Sequence, residues 1–444
     1  MENGWRGWRV VVGMSSIHLV QHVFRILPPM LPIIAVDFPY PLWKLGALVS
    51  VYFLGSGLGQ TPMGVLADRH DRRFILPPSI GVMGLGYVGF AMVPKLVAPD
   101  AAGFTLLGAS FTLQFVLMGL GVLVAGIGAS AIHPVGYPLV ASNVSVDRVG
   151  SAYGVWGSAA KFGDAAAPMS VAVLILVVQW RDIFLLFGGL GVAYALALFY
   201  AMSQPWFESR PADQSATTAE DDTEAMDVPD DRRHYVYPMV ALLVFFVARA
   251  FSEKGLKTFL PTFLVLVYGY SFAFGSVELT PESFANVYFT AVFLIAAVVQ
   301  LLTGRLVDRH DHRAVLIGFF LTAAAALVVL ATGGLSPLAL LGVLLVIGAT
   351  NWGWTPARDA LVNDVTPPAR AGRTFGYLHT ISHLVSALAP VVIGYIAEQS
   401  SLQQSFLYLA VTMLIAVAAI GSLFSRRVYR PTDHESRTKP NDAP

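Results

Sequence analysis

The stretch GVLADRHDRR, residues 64–73, returns in the second half of the chain as GRLVDRHDHR, residues 304–313. Each copy joins two long apolar runs, so each reads as a charged hairpin between hydrophobic segments. The likeness reaches further. At a shift of 222 residues His133-Pro134 falls on Thr355-Pro356, Leu139 on Leu361, Arg148 on Arg370, Gly154 on Gly376 and Pro168 on Pro390. The hairpins need a shift of 240. The difference of 18 residues marks an insertion in the first half, and residues 95–112 fit it as an excursion on the outer side. Two matched blocks in the same order indicate an internal duplication.

Composition fixes the class. The chain has 444 residues, is 55% hydrophobic and 13% charged, and has a mean hydropathy of +0.64. Soluble domains carry about 25% charged residues. Formal net charge is zero, so no overall field points to nucleic acid. Cysteine is absent, which removes disulfides, thiolate catalysis and Cys-held metals. No cofactor is expected.

A membrane span needs about 20 mostly apolar residues. The apolar runs predict twelve helices, near 8–36, 42–66, 74–94, 114–140, 149–178, 182–203, 237–268, 284–307, 314–333, 336–362, 373–398 and 403–425. The first run is longer than a signal-peptide core and is expected to be retained. The expected fold is therefore all-α and integral to the membrane: twelve transmembrane helices in two pseudo-symmetric six-helix bundles, 1–203 and 237–428. Residues 204–236 hold Pro205, Pro211, Pro229 and a run of acidic residues, and read as a flexible acidic linker. Residues 429–444 read as a disordered tail. Arginines gather at one set of helix ends, from Arg6 and Arg9 through Arg148 and Arg370 to Arg426 and Arg427. The positive-inside rule puts those ends, both termini and the linker in the cytoplasm. Duplicated membrane proteins of this kind are commonly secondary transporters.

With these spans and hairpins the chain resembles the major facilitator superfamily. The signature after that family's second helix is matched by Gly64, Asp68, Arg69, Arg72 and Arg73, and again by Gly304, Asp308, Arg309 and Arg313. Asp71 and Asp311 replace a glycine in both copies, and Asp tolerates the turn conformation that glycine supplies. The resemblance implies two bundles rocking about a central cavity, lined by spans one, four, seven and ten with help from five and eleven. It also implies a cytoplasmic gate in which Asp68 and Arg69 latch against span eleven near Arg373. Arg358 and Asp359, near the inner end of span ten, are expected to pair with Arg309 or Arg313. Residues 126–169 look similar to the fosmidomycin-resistance branch, with His133-Pro134 closing a Gly-rich fourth helix, although Gly157 lacks a glycine three places on.

Charge at mid-membrane is expensive and usually functional. Span one carries His18, His22 and Arg25 at i, i+4 and i+7, on one helical face. Span seven carries Arg249, Glu253, Lys254 and Lys257. The i, i+4, i+8 spacing lets Arg249 and Lys257 both pair with Glu253. Lys161 and Asp164 in span five are candidates for an i, i+3 pair, and His379 and His383 share a face of span eleven. Aligning Leu31-Pro32 with Leu260-Pro261 puts Arg25 on Lys254, and the 222 shift puts Lys161 on His383. Five mid-span cations against two carboxylates invite an anionic ligand. This pattern is similar to organophosphate and organic-anion members of the superfamily.

The expected solute site is Arg25, His22, Lys161, Arg249, Lys254, Lys257 and His383, with Trp352 lining the cavity or packing. Expected proton-coupling groups are Glu253, Asp164, His18 and His133, and histidine titrates in the range that suits a relay. The expected activity is secondary active transport of a small organic anion or phosphonate, coupled to protons, by a plasma-membrane monomer. Proton-driven efflux of neutral or cationic amphiphiles is the alternative. A membrane sensor without transport is a third reading, and it lacks the soluble signalling domain such proteins usually add. The histidines read as dispersed, with no nucleophile or metal cluster at one depth, so an enzyme is not expected.

Overall fold

The computed structural model describes residues 2–99, 101–106, 108–144, 149–205, 207, 209–210, 232–274, 277–307, 309–366 and 371–430. Most of the linker, the tail beyond 430, Arg148, Arg370 and Asp308 therefore lie outside the described residues, as does the side chain of Arg373.

The helices alternate across the bilayer in two sets of six. The first set is Glu2–Val23 with Leu27–Asp37, Leu42–Arg69, Leu76–Leu96, Leu113–Ala129 with Ile132–Ser142, Val149–Leu174 and Trp180–Met202. The second is Arg232–Phe263, Pro281–Val307, His312–Ala331, Pro337–Trp352 with Thr355–Val365, Ala371–Ser386 with Ala389–Gln399, and Leu402–Ser422. Eleven spans among the described residues are long and apolar enough to cross a membrane. The twelfth is Val149–Leu174, whose 26 residues reach about 39 Å at the helical rise but include Lys161 and Asp164.

Spans one, four, ten and eleven are broken rather than continuous, and proline explains each break. Proline has no N–H to return to the carbonyl four residues earlier. Pro28 leaves Phe24 without that bond, Pro134 leaves Ser130, Pro356 leaves Trp352, and Pro390 leaves Ser386. Each helix resumes just past the freed carbonyl. Tyr87 Oη donates to the Phe24 carbonyl at 2.5 Å and so satisfies one of them. Arg25 stands in the gap of span one. Pro168, the repeat mate of Pro390, stays inside an unbroken helix.

The insertion forms a hairpin, Phe104–Leu106 paired with Ala109–Phe111, turning at Gly108 with φ +80°. Lys44 pins it. Its ammonium donates to the Ser110 carbonyl at 2.5 Å and lies 5.5–5.8 Å from the rings of Tyr40, Trp43, Phe111 and Phe115. Nothing in the sequence reading anticipated this aromatic cage.

Contacts between the bundles run from the face opposite the chain ends toward mid-membrane. Leu42 N donates to Glu398 Oε1 at 2.5 Å, Ser283 Oγ to the Ala172 carbonyl at 2.6 Å, Asn286 Nδ2 to the Pro29 carbonyl at 3.2 Å, and Thr290 Oγ1 to the Ala165 carbonyl at 3.2 Å. Backbones touch there because two glycines allow it. A Cβ on Gly46 would collide with the Pro390 carbonyl, and one on Gly394 would stand 2.6 Å from the Leu42 carbonyl oxygen. That side of the molecule is shut.

Candidate functional site

A cavity of about 110 Å³ lies between the bundles. The first bundle lines it with Gln21, Arg25, Tyr52, Gln60, Ser130 and His133, and the second with Glu253, Lys254, Lys257 and His383. Arg25 and Lys254, paired by the repeat, thus meet one space from opposite bundles.

The carboxylates are distributed differently from the sequence expectation. Asp164 does not pair with Lys161. It is buried, and its Oδ1 lies 2.7 Å from Lys257 Nζ and 2.8 Å from His22 Nδ1. Lys257 comes from span seven and Asp164 from span five, so this ion pair joins the two bundles at mid-membrane. Glu253 does not receive both ends of its ladder either. Arg249 Nη1 is 2.6 Å from Glu253 Oε2, and Trp352 Nε1 donates to Oε1 at 3.1 Å, while Lys257 turns away to Asp164. The Arg249 guanidinium also lies 4.7 Å from the Trp354 ring. The reason is reach. Two cations one turn either side of Glu253 compete for it, and the one facing the other bundle finds a carboxylate already held by a histidine.

Arg25, Lys161 and Lys254 are left with no carboxylate partner among the described residues. Lys254 Nζ donates to the His383 carbonyl at 3.0 Å and lies 4.5 Å from the Phe53 ring. Arg25 Nη1 is 3.4 Å from His22 Nδ1. A carboxylate can only accept, so the Nδ1 proton belongs to the bond with Asp164, and that nitrogen offers Arg25 nothing.

Three of the histidines form a cluster rather than lying dispersed. His18 is within ring contact of both His22 and His133, at centroid separations of 4.8 and 5.1 Å, and stacks on Trp156 at 4.4 Å. Its Nδ1 donates to the Trp156 carbonyl at 2.8 Å. Three helices converge there, which single-helix spacing cannot reveal. The cluster holds no metal geometry among the described residues.

At the other end of the spans the repeated hairpins behave alike. Asp71 and Asp311 do not supply a left-handed turn; their φ values are −61° and −57°. Each instead caps the next helix and clamps an arginine. Asp71 accepts from Arg73 N at 3.0 Å, and Asp311 from Arg313 N at 2.8 Å. Arg313 adds bonds of 3.0 and 2.6 Å to the same carboxylate. Ser209 Oγ donates to Asp71 Oδ1 at 2.7 Å, which ties the start of the linker to the first hairpin. Arg358 pairs with its neighbour Asp359 at 2.6 Å rather than with Arg309 or Arg313. Asp68, Arg69 and Arg309 are exposed, and Arg72 is buried. No ion pair joins Asp68 to the second bundle among the described residues.

Residues 15–281 and 276–443 match the Major Facilitator Superfamily. The chain belongs to that superfamily. It is a multi-pass membrane protein and a secondary transporter that works by alternating access, not an enzyme. Over 156 residues, 35% of this chain, it is 30% identical to a probable L-galactonate transporter of Escherichia coli K12, and the match spans 30% of that protein's length. It is 23% identical over 375 residues to a homolog of the multidrug efflux pump PmrA from Lactococcus lactis IL1403, covering 83% of each chain. The fold is similar to a bacterial homolog of the human lysosomal transporter Spinster, with a TM-score of 0.73 at 16% identity over 93% of this chain and 96% of that one. It is also similar to the xylose transporter XylE of E. coli, with a TM-score of 0.69 at 15% identity over 96% and 97%.

Sequence reasoning missed Gln21, Tyr52, Ser56 and Gln60. The signal was there: Tyr52, Ser56 and Gln60 form an i, i+4, i+8 polar stripe down span two.

Proposed function

We propose that this transporter moves a small organic anion, coupled to protons, and that the cargo's charge is bound between Arg25 and Lys254. The carrying observation is that these two cations line one cavity from opposite bundles and neither forms an ion pair among the described residues, while the carboxylate beside them, Glu253, is held by Arg249. Unpaired buried charge is costly, and an anion removes the cost. The probable L-galactonate transporter among the relatives handles a carboxylate by its name. The arginine bias at helix ends supports placing both chain ends in the cytoplasm. The described state is then shut outside, with the cavity serving the inner side.

Coupling rests on Asp164. One oxygen of this carboxylate holds both Lys257 across the bundle interface and His22. A proton on Asp164 releases Lys257, and so does an anion that claims Lys257 in its place. Cargo and proton thereby act on the same tie, and occupancy biases the rocking of the bundles. His18 and His133 extend the polar path from His22.

The test is a thermal-shift screen of purified protein against carboxylates, phosphonates and cationic amphiphiles. Stabilisation by an anion that is lost in Arg25→Gln and in Lys254→Gln is expected. Arg25→Lys should already weaken it by about tenfold, because a guanidinium bonds a carboxylate through two parallel N–H groups. Stabilisation by cationic amphiphiles alone, unchanged in both glutamine variants, would instead favour the efflux reading of the Lactococcus relative.

A further inference from the structure

The cavity contains more than positive charge. It also holds buried polar atoms without a hydrogen-bond partner: Gln21 Oε1, which can only accept, Arg25 Nε, which can only donate, and Tyr52 Oη and His133 Nδ1, which can do either. Gln21 is 2% exposed and its Nε2 donates to the Ala129 carbonyl at 3.1 Å. That bond fixes the amide's orientation, since the opposite flip would set two oxygens against each other. Gln21 Oε1 is then a buried acceptor with no donor, on a residue that lines the cavity. Ser130 gives its only proton to the Ile127 carbonyl at 2.7 Å, so its oxygen is also left to accept. Tyr52 is 5% exposed; its hydroxyl lies beside Arg25 without reaching hydrogen-bond geometry to any group among the described residues. His133 Nδ1 is buried and unpartnered as well. All four residues line the same space, and all four belong to the first bundle.

A simple carboxylate has only acceptors to offer. It satisfies Arg25 and Lys254 and leaves Gln21 and Ser130 as they are. An ammonium donor is repelled by the same two cations. A neutral hydroxyl both donates and accepts, so it can serve each of these groups without adding charge. From the donor and acceptor inventory of this cavity we infer that the cargo is a hydroxylated organic acid, its carboxylate on Arg25 and Lys254 and its hydroxyls on Gln21, Ser130, Tyr52 and His133. This inference rests on the anion reading above and narrows it. Size agrees. The cavity's 110 Å³ leaves room for a short-chain sugar acid. A site built to bond a hydroxyl discriminates strongly against the analogue that lacks it, because the site's own polar groups are then left buried and unpaired.

The experiment is calorimetric titration of the full-length protein in nanodiscs with gluconate, galactonate, hexanoate, an alkylphosphonate and sorbitol. These probes separate charge from hydroxyls at similar chain length. At least one of the two sugar acids is expected to bind about tenfold or more tightly than hexanoate, and sorbitol not to bind. Tyr52→Phe and Gln21→Leu should each narrow the gap between sugar acid and hexanoate, while Arg25→Gln removes binding of both. Tyr52→Phe deletes one oxygen and keeps the ring, so it reads the hydroxyl contact even if Gln21→Leu folds poorly. If hexanoate or the phosphonate binds as tightly as the sugar acids and is lost in Arg25→Gln, the anion reading stands and the hydroxyl inference is wrong. If no anion binds, or if binding survives Arg25→Gln, both fall.

Discussion

Asp164 carries more of this account than any other residue. It is a buried carboxylate with two partners on one oxygen, one of them supplied by the other bundle. Asp164→Asn keeps the shape and removes the charge. The variant is expected to insert and to bind cargo, yet to lose accumulation driven by a proton gradient while still exchanging cargo down its own gradient. Proteoliposome uptake with and without an imposed pH difference checks this, and full proton-driven accumulation by the variant would remove Asp164 from the coupling role. The charged residues themselves were legible, because any ionisable group inside an apolar run stands out. Their partners were not. Helical spacing tied Lys257 to Glu253 and Lys161 to Asp164, but spacing within one helix says nothing about what the facing helix presents. His18, His22 and His133 became a cluster for the same reason: two helices had to be placed before the third histidine had neighbours.

At the scale of elements, the sequence showed where helices begin and end better than where they break. The prolines were visible, and their effect on the carbonyl four residues earlier follows from chemistry, yet Pro168 shows that a proline also survives inside a straight helix. The capping role of Asp71 and Asp311 follows from their extended-side dihedrals rather than from glycine-like freedom. Removing the cap in Asp311→Ala is expected to cost about 1 kcal/mol of stability. The hydrogen bond from Arg313 holds the Asp311 carboxyl below its ordinary value of 3.8. Its folded-state value is depressed, so its contribution is complete above that ordinary value and fades only as pH falls through the lower folded one. Thermal melts of wild type and Asp311→Ala should therefore differ equally at pH 5 and pH 7, and a gap that closed between those two values would contradict the clamp. On the other side, Gly394 lets span eleven meet the Leu42 carbonyl. Gly394→Ala should disfavour the state shut on that face, which an increase in labelling of a cysteine placed in the cavity half nearest Gly394 would register in this cysteine-free chain.

For the whole molecule, duplication was the most readable property of the chain. The repeated hairpins and the 222-residue shift by themselves imply the two-bundle architecture. The relation between the bundles was less readable, because it depends on backbone contacts at Gly46 and Gly394 and on one cross-bundle ion pair. Those contacts make the state described here closed on one side, and the exposed Asp68 and Arg69 on the other side are free of any tie to the second bundle among the described residues. The central claim is that an anion joins Arg25 to Lys254 and that protons drive it. Uptake of labelled organic acids into proteoliposomes under an imposed proton gradient tests it most directly, with wild type beside Arg25→Gln and Lys254→Gln. Gradient-dependent accumulation of an organic anion by wild type, and loss of at least about tenfold in each variant, are expected. Accumulation of a cationic or neutral amphiphile instead, at the same rate in all three proteins, would contradict it.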